Sequence, residues 1–163
     1  MSQKDAAAKV IDSSGIINAR DAVIEGPFIA PPEIKSELKD IQSRLKFEAA
    51  VSEGRIRLET PEKAAEKAVR SVAEKNGVLP LLSDIDIKVL ALAYEKKLPL
   101  VTDDYDIQNV CMLAGMKFET VVMRGIKAPF KWKKKCIACR KVYLKDIIEC
   151  EACGSRKFKM LVS

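Results

Sequence analysis

Short apolar runs alternate with stretches of helical spacing along most of the chain. Lys9–Ile11 predicts a short strand ending at Asp12, and Ser13 to Ala19 a helix directly after it. Gly26–Ile29 predicts a second strand. Pro31 and Pro32 then punctuate the chain, and Pro32 suits a first helical position, where its missing N–H has no helical partner anyway. Glu33 to Val51 carries helical spacing through Ile34, Leu38, Ile41 and Leu45, with Gly54 as its stop. Arg55–Glu59 predicts a strand with Ile56 and Leu58 on one side. Thr60-Pro61 reads as an N-cap and first helical residue, opening a helix that runs to Asn76-Gly77. After Leu79–Leu82, Ser83 caps a helix over Asp84 to Lys97 that buries Ile87, Leu90, Ala91 and Tyr94. Leu98–Val101 predicts a buried strand, Asp103 to Leu113 a helix stopped at Gly115, and Lys117–Met123 a last strand. Strands separated by helices predict an α/β domain with a mostly parallel sheet.

Residues 124–135 (RGIKAPFKWKKK) break this pattern. They are basic and aperiodic, and they divide the chain into a domain over 1–123, a linker over 124–135 and a small module over 136–163. Charge divides it at the same place. Residues 124–163 hold twelve Lys/Arg against three Asp/Glu, whereas residues 1–123 hold seventeen against twenty. A mildly acidic body with a strongly basic tail points to a polyanion, RNA or DNA before a membrane. No apolar run approaches the roughly 20 residues of a membrane helix, and the N-terminal MSQKDAAAKVIDSS has no signal-peptide layout. A soluble, cytoplasmic protein is the expectation.

The chain has no histidine. Ser-His-Asp triads, Cys-His pairs and HExxH metalloprotease sites are thereby excluded. Neither GxGxxG nor GxxxxGK[ST] occurs, which argues against a phosphate-cradling nucleotide loop.

Four of the five cysteines form Cys136-x2-Cys139-x10-Cys150-x2-Cys153. Two CxxC knuckles place four thiolates around one tetrahedral ion, and zinc suits soft sulfur ligands. With every position taken by protein the ion is structural, and a module this short needs it in order to fold. Two disulfides or an iron–sulfur cluster are the alternatives. Cys111, among Val110, Met112 and Leu113, reads as a core residue rather than a nucleophile.

Acids recur where the apolar strands end. Asp12 follows Val10-Ile11, Asp103 and Asp104 follow Leu100-Val101-Thr102, Asp84 and Asp86 follow Leu81-Leu82-Ser83, and Glu33 and Glu37 follow Pro31-Pro32. The carboxyl ends of parallel strands form the usual ligand crevice of such a sheet. Carboxylates converging there make an oxygen-only site for Mg²⁺ or Mn²⁺, which activates water and neutralises charge on a phosphate. Taken singly, each acid is equally an N-cap or a partner of a helix dipole, and Ser83-x-x-Asp86 resembles a capping box.

Val10-Ile11-Asp12-Ser13-Ser14, Pro32 to Leu38, Leu82 to Ile87 with Val89 to Ala93, and Val101-Thr102-Asp103-Asp104-Tyr105 resemble the PIN-domain nucleases. Together with the four-cysteine ribbon, and with Val101 to Val110 resembling it most closely, the chain looks like the archaeal form of the Nin-one-binding protein family over nearly its whole length. The resemblance implies a three-layer PIN fold with a C-terminal zinc ribbon. It implies an endonuclease that trims the 3′ end of precursor small-subunit ribosomal RNA, leaving a 5′-phosphate and a 3′-hydroxyl. Asp12, Glu37 and Asp86 match the first three acidic positions and Asp103 or Asp104 the fourth, with Asp84 and Asp106 as weaker candidates. The small ribosomal subunit and a KH-domain assembly factor are the partners it implies.

Between Arg124 and Lys145 there are nine Lys/Arg and no acid, with Phe130, Trp132 and Tyr143 interleaved. Lys131, Trp132, Lys133, Lys134, Lys135, Arg140 and Lys141 are the expected RNA contacts, charge for phosphates and rings for unpaired bases. Packing of Phe130 and Trp132 against the domain or the ribbon is the competing expectation. Two other functions compete with the nuclease: a non-catalytic RNA-binding assembly factor, separated by whether Asp12 takes part in metal binding, and a toxin-like PIN ribonuclease, against which the ribbon argues.

Overall fold

A computed structural model describes residues 8–19, 24, 26–144 and 146–162. Residues 1–7, part of the N-terminal stretch without a signal-peptide layout, and Lys145, at the end of the basic run, lie outside the described residues. Five parallel strands make the main sheet: β1 (Lys9–Ile11), β2 (Phe28–Ala30), β3 (Ile56–Leu58), β4 (Leu100–Val101) and β5 (Phe118–Glu119), in the order β3-β2-β1-β4-β5. β1 is central; Val10 pairs with Ile29 on one side and Leu100 on the other. The chain winds outward through β2 and β3, then returns to the other flank of β1 with β4. That reversal opens a crevice at the carboxyl ends of β1 and β4.

The helices are α1 (Ser13–Asn18), α2 (Ile41–Ser52), α3 (Lys63–Lys75), α4 (Asp84–Lys96) and α5 (Tyr105–Leu113). α4 buries more residues than any other of these helices, with Ile87, Val89, Leu90, Ala91, Leu92 and Ala93 all in the core. Tyr94, expected inside, is 43% exposed. The helix expected over residues 33–51 is two elements: a 3-10 turn over Pro32–Glu37, then α2, capped by Asp40 through Ser43 N at 2.7 Å. Ile34 and Leu38 are buried before the break, whereas Ile41 and Leu45 are 75% and 60% exposed after it. The apparent spacing therefore ran across two faces. Leu58, expected beside buried Ile56, is exposed, and α3 is capped at Glu62, not Thr60.

The ribbon is an antiparallel sheet of β6 (Trp132–Cys136), β7 (Val142–Tyr143) and β8 (Phe158–Val162), in the order β7-β6-β8. Residues 132–135, read from sequence as linker, are strand: three consecutive lysines hide the alternation that puts Trp132, Lys134 and Cys136 on one side. The connection before β6 is tied to α5. Gln108 accepts from Ile126 N at 3.1 Å, and Asn109 accepts from Phe130 N and donates to Phe130 O, both at 2.7 Å. Trp132 packs on the main core. Gly77, with φ +71°, meets the ribbon so closely that a Cβ there would collide with the Trp132 carbonyl oxygen and lie 2.9 Å from that of Leu144. No helix among the described residues is long and apolar enough to cross a membrane.

Candidate active site and metal centre

The crevice is an open cavity of about 470 Å³ lined by Asp12, Ser13, Ser14, Ser36, Glu37, Lys39, Ser83, Asp86 and Asp104. Carboxylate oxygens of Asp12, Glu37 and Asp86 lie within 4.8 Å of one another. Each comes from a different element: Asp12 from the end of β1, Glu37 from the end of the 3-10 turn, Asp86 from the first turn of α4, and Asp104 from the N-cap of α5. A larger groove of about 630 Å³, at the amino ends of β4 and β5, is bordered by Tyr94, Leu98, Pro99 and Met116, with Glu95 its one acid. The acid cluster makes the smaller crevice the candidate chemical site.

Capping and convergence are not exclusive here. Asp86 completes a capping box with Ser83, its Oδ2 accepting from Ser83 N at 2.6 Å while Asp86 N donates to Ser83 Oγ at 3.0 Å. Asp104 Oδ1 accepts from Asp106 N at 2.8 Å and Ile107 N at 3.3 Å. Caps fix the carboxylates at helix N-termini that all open on the same crevice.

Asp12 is only 2% exposed. Its Oδ2 accepts from Ser14 Oγ at 2.7 Å and Thr102 Oγ1 at 3.1 Å. Burial pushes its carboxyl up to about 6; the hydrogen bonds from Ser14, Ser13 and Thr102 oppose this, and the charge of Asp86 adds to it. Burial also raises Asp86, with a contribution from Asp104. Asp106 is raised by burial and then by Asp104 and Asp86, but it does not line the crevice. Acids raised chiefly by burial, and further by one another, ionise at a cost that a bound cation would offset. An all-oxygen donor set fits Mg²⁺ or Mn²⁺.

Asp103 and Asp104, indistinguishable in sequence, part company. Asp104 faces the crevice. Asp103 is buried against the turn after β5: its carboxylate accepts from Asn18 Nδ2 at 2.7 Å, Val121 N at 2.8 Å, Val122 N at 3.2 Å and Met123 N at 3.3 Å. Burial alone would raise it, but these donors outweigh burial and hold it below the usual carboxylate range. Asp103→Asn should therefore cost about 2–3 kcal/mol in thermal unfolding, because the amide turns donors toward donors. Asp104→Asn should leave the melting temperature nearly unchanged while removing a crevice charge. Equal destabilisation by the two would contradict this division. Asp84 is outside the site, paired with Arg70 at 2.6 Å and lowered by it. Glu33 pairs with Lys88.

Ser14, Thr102, Ser36 and Lys39 were not singled out from sequence. The signal for Ser14 and Thr102 was there, as hydroxyls one or two residues from strand-end acids. For Lys39 there was none, because the break before α2 places it.

The four ribbon cysteines also converge within 4.8 Å. Cys136 and Cys153 sulfurs are 3.6 Å apart, and those of Cys139 and Cys150 are 3.5 Å apart. A disulfide would need about 2.05 Å, whereas tetrahedral thiolates at a Zn–S distance of about 2.3 Å sit roughly 3.8 Å apart. Tyr143 Oη lies 3.1 Å from Cys150 Sγ. That hydroxyl, with the N–H groups of Ala152 and Cys153, draws the Cys150 thiol down to about 6, primed as a metal ligand. Cys111 is buried, and burial raises its thiol to about 12, as befits an inert core residue.

The expected RNA contacts separate as well. Trp132 is half-buried on the main core, 6.2 Å from Phe130 in an edge-to-face pair, the packing arrangement that competed with base stacking. Lys134 is committed to Asp146, the Ile147 carbonyl at 3.0 Å and the Phe158 ring. Lys133 and Lys135 lie on the opposite face of β6, where Lys135 pairs across to Lys159, a basic residue that register alone reveals. Lys131, Arg140 and Lys141 are exposed.

Residues 10–95 match the PIN domain of ribonuclease. Endoribonuclease Nob1 of Pyrococcus abyssi is 41% identical over 149 residues, covering 90% of this chain and 89% of that protein. Endoribonuclease Nob1 of Archaeoglobus fulgidus is 40% identical over 151 residues, 90% of this chain and 86% of that protein. Ribonuclease VapC1 of Thermoplasma acidophilum is 34% identical over 145 residues, 89% of this chain and 74% of that protein. With its acid-lined crevice and its four-cysteine ribbon, the chain belongs to the PIN-domain ribonuclease family, among the relatives of the Nob1 endoribonucleases.

Proposed function

We propose that this protein is a divalent-metal-dependent endoribonuclease that cuts precursor small-subunit ribosomal RNA at its 3′ boundary, in the cytoplasm. The observation that carries the reading is the meeting of Asp12, Glu37 and Asp86 within 4.8 Å, beside Asp104, in a member of a ribonuclease family. These four acids would hold the catalytic ion. A divalent cation supplies Lewis acidity toward the scissile phosphate and lowers the pKa of water. Ser14 and Thr102 fix Oδ2 of Asp12 through their hydroxyls, so that the carboxylate keeps one orientation as its proton leaves. Lys39, on the rim, balances phosphate charge. Hydrolysis by water leaves a 5′-phosphate and a 3′-hydroxyl.

The ribbon holds zinc through Cys136, Cys139, Cys150 and Cys153. Its outer face, Lys133, Lys135 and Lys159 with Arg140 and Lys141, carries RNA phosphate. The small ribosomal subunit is the setting, with a KH-domain assembly factor as a protein partner.

The test is incubation with RNA spanning the small-subunit 3′ boundary in Mn²⁺ or Mg²⁺. One cut at that boundary, lost in EDTA and in Asp86→Asn, is the expected result. A 2′,3′-cyclic phosphate on the product would sink the water mechanism, and tight binding with no cleavage would favour the assembly-factor reading. Affinity should also fall steeply with salt: four or five phosphate contacts on single-stranded RNA give a log–log slope of about −3. A flat response would remove the basic face from the account.

A further inference from the structure

Three consecutive exposed apolar side chains, Val121, Val122 and Met123, stand on the turn that follows β5. Such residues on a surface turn normally collapse or fray. This turn does neither, because its three successive N–H groups all point to one buried carboxylate, Asp103. A carboxylate is needed there: both oxygens accept, and the amide of Asn18 occupies Oδ2 as well. The clamp is wired to the crevice. Asp103 N donates to Ser14 Oγ at 2.9 Å, and the same Ser14 Oγ donates to Asp12 Oδ2 at 2.7 Å. β5 is the neighbour of β4, so the turn and the crevice leave the same end of the sheet. Arg124 follows the turn directly and Lys127 lies three residues on.

We propose that Val121–Met123 form the apolar rest for an unpaired base of the RNA beside the scissile phosphate, with Asp103 as the positioning residue that fixes it. The assignment rests on the endoribonuclease reading. It follows from continuity and charge. The turn leaves the same end of the sheet as the crevice, one strand over, so RNA that reaches Asp12 and Asp104 and leaves past β5 would run toward it, with Arg124 next in the chain for the backbone. Single-stranded recognition commonly couples cations for phosphate to side chains on which a base rests, most often aromatic rings or Arg planes; here the exposed aliphatic surface of Val121, Val122 and Met123 takes that place. Asp103 thus serves the site without touching metal or phosphate: it spends a buried acid, one residue from a crevice acid, on holding a turn rigid.

The test uses the full-length, metal-replete protein and a set of single-stranded RNAs, each with one abasic position near the cut. The wild type should lose about tenfold in kcat/KM at one or two abasic positions, mostly through KM. The double variant Val122→Ser/Met123→Ser should show the same loss on intact RNA and no further loss on the abasic one, with kcat within about twofold. Asp103→Glu should recover more of the KM than Asp103→Asn. Fluorescence anisotropy in the Asp86→Asn background, where no cut is expected and the ribbon keeps its metal, reads the same contact without catalysis. Indifference of the wild type to every abasic position, or additive losses in the turn variant, would overturn the proposal; additive losses would leave the turn as a protein-docking edge. Absence of cleavage by the wild type with intact anisotropy differences would instead count against the nuclease reading while preserving the contact.

Discussion

Asp12→Asn should abolish cleavage and at the same time stabilise the metal-free protein. Asp12 is buried, and its carboxyl is raised from 3.8 to about 6. Below pH 3.8 both folded and unfolded chains hold the proton and the group costs nothing. As the pH climbs, the unfolded chain releases its proton first and gains the advantage, which is complete above the folded value of about 6. A shift of this size corresponds to about 3 kcal/mol, at roughly 1.4 kcal/mol per unit. The metal-free wild type should therefore lose stability between about pH 4 and 6, and the Asn variant should lose less. At pH 8 the variant should melt higher by several degrees, since about 1 kcal/mol moves a domain of this size by roughly 2–4 °C. Mn²⁺ should stabilise the wild type through binding linkage and leave the variant almost unmoved. Cleavage should fall at least about a thousandfold, the scale expected when an electrostatic anchor of a metal site is lost. Calorimetry across pH with and without Mn²⁺ decides the matter. A destabilised variant at pH 8 would mean that Asp12 acts chiefly as the cap of α1.

The same residue explains what was legible in the sequence. Acids at strand ends announced a crevice because a parallel sheet sends every strand end to one side. Asp12, Glu37 and Asp86 were visible this way, and the CxxC pair made the ribbon plain. The choice between Asp103 and Asp104 was not visible. Neighbouring residues at a strand end point in different directions, and Asn18 and the turn at 121–123, both distant in sequence, claim one of them. The ties of Lys134 to Asp146 and of Trp132 to the main core were hidden for a similar reason. Composition sees a basic run, but the pleat of β6 sends alternate side chains to opposite faces, one of which is the seam with the nuclease domain. The long helix expected over 33–51 failed because apolar residues at helical spacing straddled the cap at Asp40. That break is also what brings Lys39 to the crevice.

Loss of the ribbon metal should be the most severe single structural change. The buried core of the ribbon is Cys136, Tyr143 and Cys150, with Ile147 and Phe158 packed on it. Two of its three buried residues are cysteines that would hold the ion, so without it almost no apolar core remains. Structural zinc commonly contributes about 10 kcal/mol or more to such a fold. Cys150→Ser should therefore unfold the ribbon while the nuclease domain, with its own sheet and core, stays folded. The variant is preferable to a chelator because it leaves the crevice free to take Mn²⁺. The chain has one tryptophan, and Trp132 sits where β6 leaves the main core. Its emission should shift to the red as the seam opens, giving a direct reading of ribbon unfolding. RNA affinity should fall by about tenfold or more and its salt slope should become shallower, because Lys133, Lys135 and Lys159 no longer share a face. Tyr143 draws the Cys150 thiol down through its hydroxyl, so the wild-type ribbon should release its metal only as acid protonates the thiolates. Tyr143→Phe should move that release toward higher pH, because the thiolate loses its hydroxyl donor. Unchanged tryptophan emission and unchanged salt slope in Cys150→Ser would mean that strand pairing, not the metal, holds the basic face together.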